Sequence, residues 1–426
     1  MEKVLIISYY YPPCNLTASQ RIKSWERYLP QHGFYPIIVT RHWTGNELSE
    51  QQRLTPDPRE LEIIKKENSE VHFLPYLANL RDFFFVRKKN NPLFNLLSKT
   101  LTLLNILMHS FYAKSTYFYN LYTHADKLLR ADKSIKLLII SVDPFEQFFF
   151  GYLLKRSHPH IKWIADYRDE WTSSSIDKFA LYSLQRWTEK KWLSNASLII
   201  SVSPHYIAKL SDFLGIKGLV IFNGYDELEK IDKSQEDSFR ITYNGTLYDT
   251  QPIAIFLKGF ILFINENPEE KIQIYFPGLS FKKEQAVRVE KILKGYENYF
   301  SITDRVAKTE VLEIQYQSDF LLMVGHQDIK GIPSSKVFEY IGIGKRFIVC
   351  PGDNDVLDEI ALQSKLGITL NSENEVFSFL QEKLAEKKSG NKTENIISND
   401  QAREQFSVKN QVSKLAEALK NLIREN

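Results

Sequence analysis

The feature of this 426-residue sequence that most restricts its fold is a repeated unit: a short run rich in Val, Ile, Leu and aromatic residues that stops abruptly at a small or polar residue. Val4–Ile7 stops at Ser8, Ile37–Val39 at Thr40, Leu137–Ile140 at Ser141, Lys162–Ala165 at Asp166, Leu198–Ile200 at Ser201 and Leu219–Phe222 at Asn223. After a charged stretch the unit resumes with Arg240–Tyr243 before Asn244, Lys271–Phe276 before Pro277, Phe320–Val324 before Gly325 and Arg346–Cys350 before Pro351. Helical patterns separate many of these runs, among them Ser19–His32, Phe179–Ser194, Ile253–Asn265 and Val337–Ile343. Continuous apolar strands alternating with helices predict parallel sheets covered on both faces, a doubly wound α/β architecture.

The length predicts two such domains. The break falls in Glu227–Ser238, which is charged and has no apolar face. The expected division is an N-terminal domain over 1–228 and a C-terminal domain over 239–400. A last helix, Gln401–Arg424 within 401–426, then packs on both domains or returns to the first. Fourteen of the 17 glycines lie from Gly215 onward, which gives the second half more turns where backbone can approach a ligand. Lys+Arg 55 against Asp+Glu 52 is too balanced for a dedicated nucleic-acid binder. The two cysteines, Cys14 and Cys350, have no metal-ligand spacing, and the histidines show none either. The opening residues run straight into a strand-like stretch with no cleavage site, and no segment is apolar for the ~18–20 residues of a spanning helix. A soluble, cytoplasmic protein is expected.

Residues 75–130 stand apart, with eight Lys and Arg against only Asp82 and Asp126, and many interleaved aromatics. Such a stretch suits the headgroups of an anionic bilayer, which would put the protein peripherally on the inner membrane leaflet. Core packing of the aromatics beneath a solvated basic face is the alternative.

In open α/β sheets ligands bind beyond the carboxyl ends of the strands. The loop after the first run, Ser8 to Arg21, is not GxGxxG. Its Tyr11 and Asn15 are candidates for contact with a phosphate or sugar. Asp166-Tyr167-Arg168-Asp169-Glu170-Trp171 gathers carboxylates, a guanidinium and an indole at one strand end. Trp171 suits stacking on a sugar, Arg168 suits a phosphate or an internal salt bridge, and Asp166 and Asp169 are candidates for acceptor positioning or base duty. Asn244-Gly245-Thr246 opens the second half with a glycine that permits close backbone approach. The most informative segment is Lys330 to Lys345. Pro333, Ser334 and Ser335 start a helix whose free amides and positive dipole end form an anion site, Lys336 adds charge, and Glu339 lies one turn further on. Glu339 is five and four residues from the two serines, which fits a capping box poorly. Asp353-Asn354-Asp355 reads as a turn and is assigned no metal.

Taken in order, the Tyr-Tyr-Pro-Pro loop, Asp166 to Trp171, Ser201-Val202-Ser203-Pro204, Asn223-Gly224-Tyr225-Asp226, Asn244 to Tyr248, and Gly331 to Glu339 with Gly344-Lys345 resemble the retaining glycosyltransferases of family 4, in the branch that builds bacterial capsule and O-antigen polysaccharide. The resemblance implies the GT-B fold, two Rossmann-like domains facing a central cleft. It implies a nucleoside-diphosphate sugar, such as a UDP-sugar, held by the second domain, and a lipid-linked or oligosaccharide acceptor held by the first. It also implies no metal or other cofactor. By resemblance Glu339 binds the ribose, the backbone of Gly245, Thr246 and Ser334 to Val337 holds the diphosphate, and the base lies near Arg305 and Val306. No enzymic nucleophile is implied. Two departures stand out. Gly331 occupies the place of the family's other glutamate, leaving Asp328 and Lys330 as substitutes near the donor sugar, and Thr246-Leu247 replaces an Arg/Lys pair after Gly245. An epimerase of UDP-N-acetyl sugars and a non-catalytic partner subunit remain as alternatives.

Overall fold

The computed structural model describes residues 1–426 apart from 15, 46–49, 113–115, 175–179, 227–237, 390–399 and 426. In chain order the strands are β1 (Glu2–Ser8), β2 (Phe34–Arg41), β3 (Glu62–Lys65), β4 (Glu70–Leu74), β5 (Leu137–Val142), β6 (Lys162–Tyr167), β7 (Leu198–Ser201), β8 (Gly218–Val220), β9 (Phe239–Thr242), β10 (Ile272–Phe276), β11 (Phe300–Ile302), β12 (Phe320–Met323), β13 (Phe347–Val349) and β14 (Gly367–Thr369). They form two sheets, ordered β3-β4-β2-β1-β5-β6-β7-β8 and β11-β10-β9-β12-β13-β14. β3 pairs antiparallel with β4 at one edge. The other pairings are parallel, with registers such as Leu5 opposite Ile37 and Leu138, and Leu322 opposite Ile348.

The doubly wound α/β class expected from the alternation of runs and helices is the class observed. Its cause is visible in the burial. Val4 to Ile7 of β1 and Leu137 to Ile140 of β5 have no exposed surface, because helices cover both faces and leave no polar side to the strand. Where cover is thinner the pattern alternates, as in β10, whose residues are buried and half-buried in turn. β3, β4, β11 and β14 escaped the sequence reading. Three of them have no buried residue, β3 being exposed along its length and β11 and β14 half-buried or exposed, so they show no continuous apolar run.

The chain divides into two compact units, Met1–Asn223 with Gln411–Asn426, and Gly224–Asn410. Most of the charged break expected near 227–238 lies outside the described residues. The last helix is not continuous from residue 401: it is a short helix, Asp400–Glu404, followed by a longer one, Val408–Arg424. The interruption has a local cause. Tyr225 pairs with the intervening backbone, donating its amide to Phe406 O (3.1 Å) and accepting from the Val408 amide (2.8 Å).

Each unit has its own apolar core. In the second, helix Ala254–Glu266 lies against helix Glu373–Lys388 at Gly259, where a Cβ would stand 2.5 Å from Glu373 O and 2.6 Å from Val376 Cβ. Gly259→Ala is therefore expected to force these helices apart and destabilise the second unit by about 1–3 kcal/mol, read as an earlier midpoint in urea unfolding followed by circular dichroism.

Candidate functional site

In the second sheet the chain builds β10 and β11 to one side of β9, and β12, β13 and β14 to the other. The loops leaving the carboxyl ends of β9 and β12 therefore diverge and open a crevice. The loop after β9 carries Tyr243 to Tyr248, and the loop after β12 leads into helix Ser335–Gly342. The two meet. Lys336 donates from Nζ to Thr246 O (3.2 Å), and its ammonium lies 4.8 Å from the centre of the Tyr243 ring. Gly245 has φ +86°, and a Cβ there would stand 3.0 Å from Lys336 Cε, so glycine answers both the backbone angle and the close approach.

The serines at the helix start do not cap it as expected, because Ser334 holds the cap position but its side chain accepts no hydrogen bond. The Val337 amide closes a turn on Ser334 O (3.1 Å), and the Val337 side chain is buried. That leaves the Ser335 and Lys336 amides at the positive end of the helix dipole. Lys336 is half-buried, and desolvation lowers its ammonium to about 8 although Glu339 pulls the other way. His326, whose Nδ1 is 2.8 Å from the Thr250 hydroxyl, is also lowered, first by burial and then by Lys336. An anion in this crevice would relieve both groups. Glu339, one turn into the helix, is held by Gln315, whose Nε2 donates to Glu339 Oε1 (2.6 Å) from a fully buried position.

Gly245, Thr246, Ser334, Ser335, Lys336 and Glu339 thus form one group. Arg305 and Val306 lie beyond the Pro277–Gly278 turn, whose Pro277 O accepts from the Gly245 amide (3.1 Å). They follow β11 at the sheet edge, where the exposed Arg305 lies 3.6 Å over the Phe281 ring. The two substitutes near the donor sugar lie in the loop after β12. Lys330 donates to Asp353 O and to Asn354 O (3.3 Å), which ties its ammonium to the loop after β13, and Asp328 has φ +61°. In that loop Asp353 accepts from the amides of Asp355 (2.9 Å), Leu357 (3.1 Å) and Asp358 (3.2 Å), and Asp355 accepts from the Gly331 amide. Both carboxylates are engaged by backbone. Among the described residues no group of three or more His, Cys, Asp or Glu is placed to hold a metal.

The first sheet reverses in the same way, between β1 and β5. Here the structure corrects several expectations. Asp166 has no exposed surface. Arg21 grips it from two nitrogens (2.9 and 3.0 Å) and the Ser141 hydroxyl donates to it (2.6 Å). Arg21 also donates to Ile221 O (2.9 Å). Through Arg21, Asp166 ties the end of β6 to helix Thr17–Tyr28 and the 221 segment. Trp171 is core: it stacks on Phe145 and Trp192, and its indole donates to Gln185 (2.9 Å). Tyr11 is buried too, with its hydroxyl on Glu26 (2.5 Å). Asn15 lies outside the described residues. Arg168 makes the internal salt bridge that was the alternative for it, to the exposed Asp169 (2.7 Å).

One residue went unnoticed in the sequence. Asp143 directly follows β5, at the reversal, and is half-buried. Burial pushes its carboxyl up to about 6, Arg168 pulls it down, and Glu146 and Asp169 push it further up. The signal that would have found it is strand order, which puts β1 beside β5 and which no local pattern in the sequence carries.

No family model matches the chain, and no curated protein matches it in sequence. Solved structures match it along its whole length. A glycosyltransferase from Rickettsia africae superposes with a TM-score of 0.61 at 11% identity, covering 100% of this chain and 99% of that one. Sucrose-phosphate synthase from Thermosynechococcus elongatus gives 0.62 at 12%, covering 100% of both chains. Anabaena HepE in complex with UDP gives 0.60 at 12%, covering 99% of this chain and 100% of that one. The likeness is one of fold: two parallel-sheet units of the GT-B kind.

Burial favours the neutral form of Asp143 in the folded protein. Stability from this group is therefore complete below the ordinary aspartate range near 4, and is lost as pH rises through about 6. Asp143→Asn is expected to match the parent protein at pH 4 and to exceed it at pH 7 by up to roughly 2 kcal/mol, measured by urea unfolding across that range.

Proposed function

We propose that this chain is a glycosyltransferase that moves a sugar, with retention, from a nucleoside-diphosphate sugar, UDP-linked, to a lipid-linked or oligosaccharide acceptor in surface polysaccharide synthesis. The observation that carries this reading is the meeting of an uncapped helix start, a half-buried lysine and Gly245 at the reversal of the second sheet. UDP in the HepE complex, on the same fold, supports the choice of donor. In the second unit the diphosphate lies on the Ser335 and Lys336 amides beside Gly245 and Thr246, with the Lys336 ammonium as its counter-charge, and the ribose hydroxyls donate to Glu339. Arg305 and Val306 are assigned to the base. Ser334 and Val337 shape the turn. Sugar contacts fall to Asp328.

The acceptor belongs to the first unit, near Asn15 and Arg168. In the transfer, the acceptor hydroxyl oxygen bonds to C1 of the sugar as the bond from C1 to the diphosphate breaks. The bonding pair leaves with the phosphate oxygen, and developing charge there is met by the helix amides and Lys336. The hydroxyl proton passes to a carboxylate of the first unit. Asp143 suits this better than Asp166 or Asp169, since it is neither enclosed by a guanidinium nor fully solvated. The proposal assigns no metal or cofactor.

Titration calorimetry with UDP tests the assignment. Glu339→Ala is expected to weaken UDP about tenfold or more, through loss of charged hydrogen bonds to the ribose. An absence of heat with UDP and with every UDP-sugar would sink the proposal and leave a non-catalytic partner. Conversion of the donor without any acceptor would instead mark an epimerase. Lys336 adds a pH signature. An anion binds its charged form, so UDP affinity should fall about tenfold from pH 7 to pH 9 as the lysine near 8 loses its proton. Lys336→Met should bind weakly and equally at both values.

A further inference from the structure

The geometry points to a second surface, in the first unit, built to lie on an anionic phospholipid bilayer; it does not depend on the glycosyl-transfer reading. Helices Leu80–Arg87 and Pro92–Phe111 pack against each other, and the longer one fully buries only polar side chains while it exposes a row of apolar ones. Its inward side carries polar residues among half-buried Leu97, Leu101 and Ile106. Ser98, His109 and Ser110 are buried, His109 faces Glu146 (3.6 Å), and Ser110 accepts from Thr188 (3.2 Å). Its outward side is apolar. Leu96, Leu103, Leu104, Leu107, Met108 and Phe111 recur at helical spacing and are each 40–63% exposed. Exposed apolar residues grouped on one face in this way mark an interaction site.

The charges identify the partner. No carboxylate occurs between Asp82 and Asp126, and Asp82 is buried beneath Tyr76, Asn79 and Arg81. The exposed charges around the patch are cations: Arg87 and Lys89 at the turn between the helices, and Lys99 on the apolar face. A second copy of the chain would bring the same cations face to face and be repelled; an anionic lipid surface complements them. At the far end Trp187, 48% exposed, lies beside Phe111 (6.0 Å) with Lys191 over its ring (4.7 Å). An indole flanked by a cation is suited to the headgroup level of a membrane. No helix among the described residues is long and apolar enough to cross a bilayer, so the helix lies along the surface.

The test uses the full chain with vesicles of phosphatidylcholine, alone or mixed with phosphatidylglycerol. Trp187 is a built-in reporter, since the other five tryptophans are buried. The protein is expected to float with the mixed vesicles, to release them at high salt, and to lose acrylamide quenching of Trp187 on binding. Leu104→Glu with Leu107→Glu changes two exposed positions. It should leave the melting temperature in place and reduce binding about tenfold or more, as should Arg87→Glu with Lys89→Glu. Leu362→Glu, 79% exposed in the second unit, should bind like the parent. Failure to float with mixed vesicles, equal binding to neutral ones, or undiminished binding by the leucine variant would overturn the inference. A lipid-free dimer that shields Trp187 would overturn it in favour of a second copy.

Discussion

A parallel strand cannot reach its neighbour through a tight turn. The chain must cross back over the sheet, and the crossing is usually a helix. Both units follow from that constraint. Crossing helices cover the two faces, so strands such as β1 and β5 are apolar along their length. All the strands that run in parallel end at the same edge, so polar loop residues gather there. Where the order of building reverses, between β1 and β5 and again between β9 and β12, adjacent loops part and chemistry has room. Asp143 and Lys336, both shifted by burial, stand beside these reversals.

Burial has opposite meanings for the two aspartates of the first unit. Asp166 is enclosed together with Arg21, and the pair locks β6 to a helix and to the 221 segment. Asp143 has Arg168 nearby, but Arg168 is drawn to Asp169, so desolvation prevails and the carboxyl holds its proton more tightly. A carboxylate at a strand end is thus a structural clamp or a titrating group according to whether a cation is buried beside it. Its position in the chain does not decide the matter.

That distinction marks how far the sequence could be read. The strand runs and their parallel pairing were legible, because they depend on local composition, whereas the grouping of Gly245 with the Ser334–Val337 turn came only from the family resemblance. The roles of Tyr11, Trp171 and Asp166 were misjudged, because residues far along the chain decide them: Glu26 receives Tyr11, Gln185 and Trp192 enclose Trp171, and Arg21 neutralises Asp166. Asp143 was overlooked because its importance comes from strand order. In residues 75–130 the basic, aromatic composition was visible, but the direction in which the helix turns its leucines was not, since polar Ser98 and His109 would ordinarily face water.

The return of the chain to its first unit has a consequence for biosynthesis. Val412, Leu415 and Leu419 are buried in that unit, in a helix that lines a cavity with Leu198 and with Lys217 to Leu219 from the β7–β8 edge. During translation the first 223 residues emerge together, but the flank that this helix covers stays unfilled until the whole second unit has been made. Until then the flank is an open apolar seam, and the first unit is completed only once the residues of the second have been synthesised.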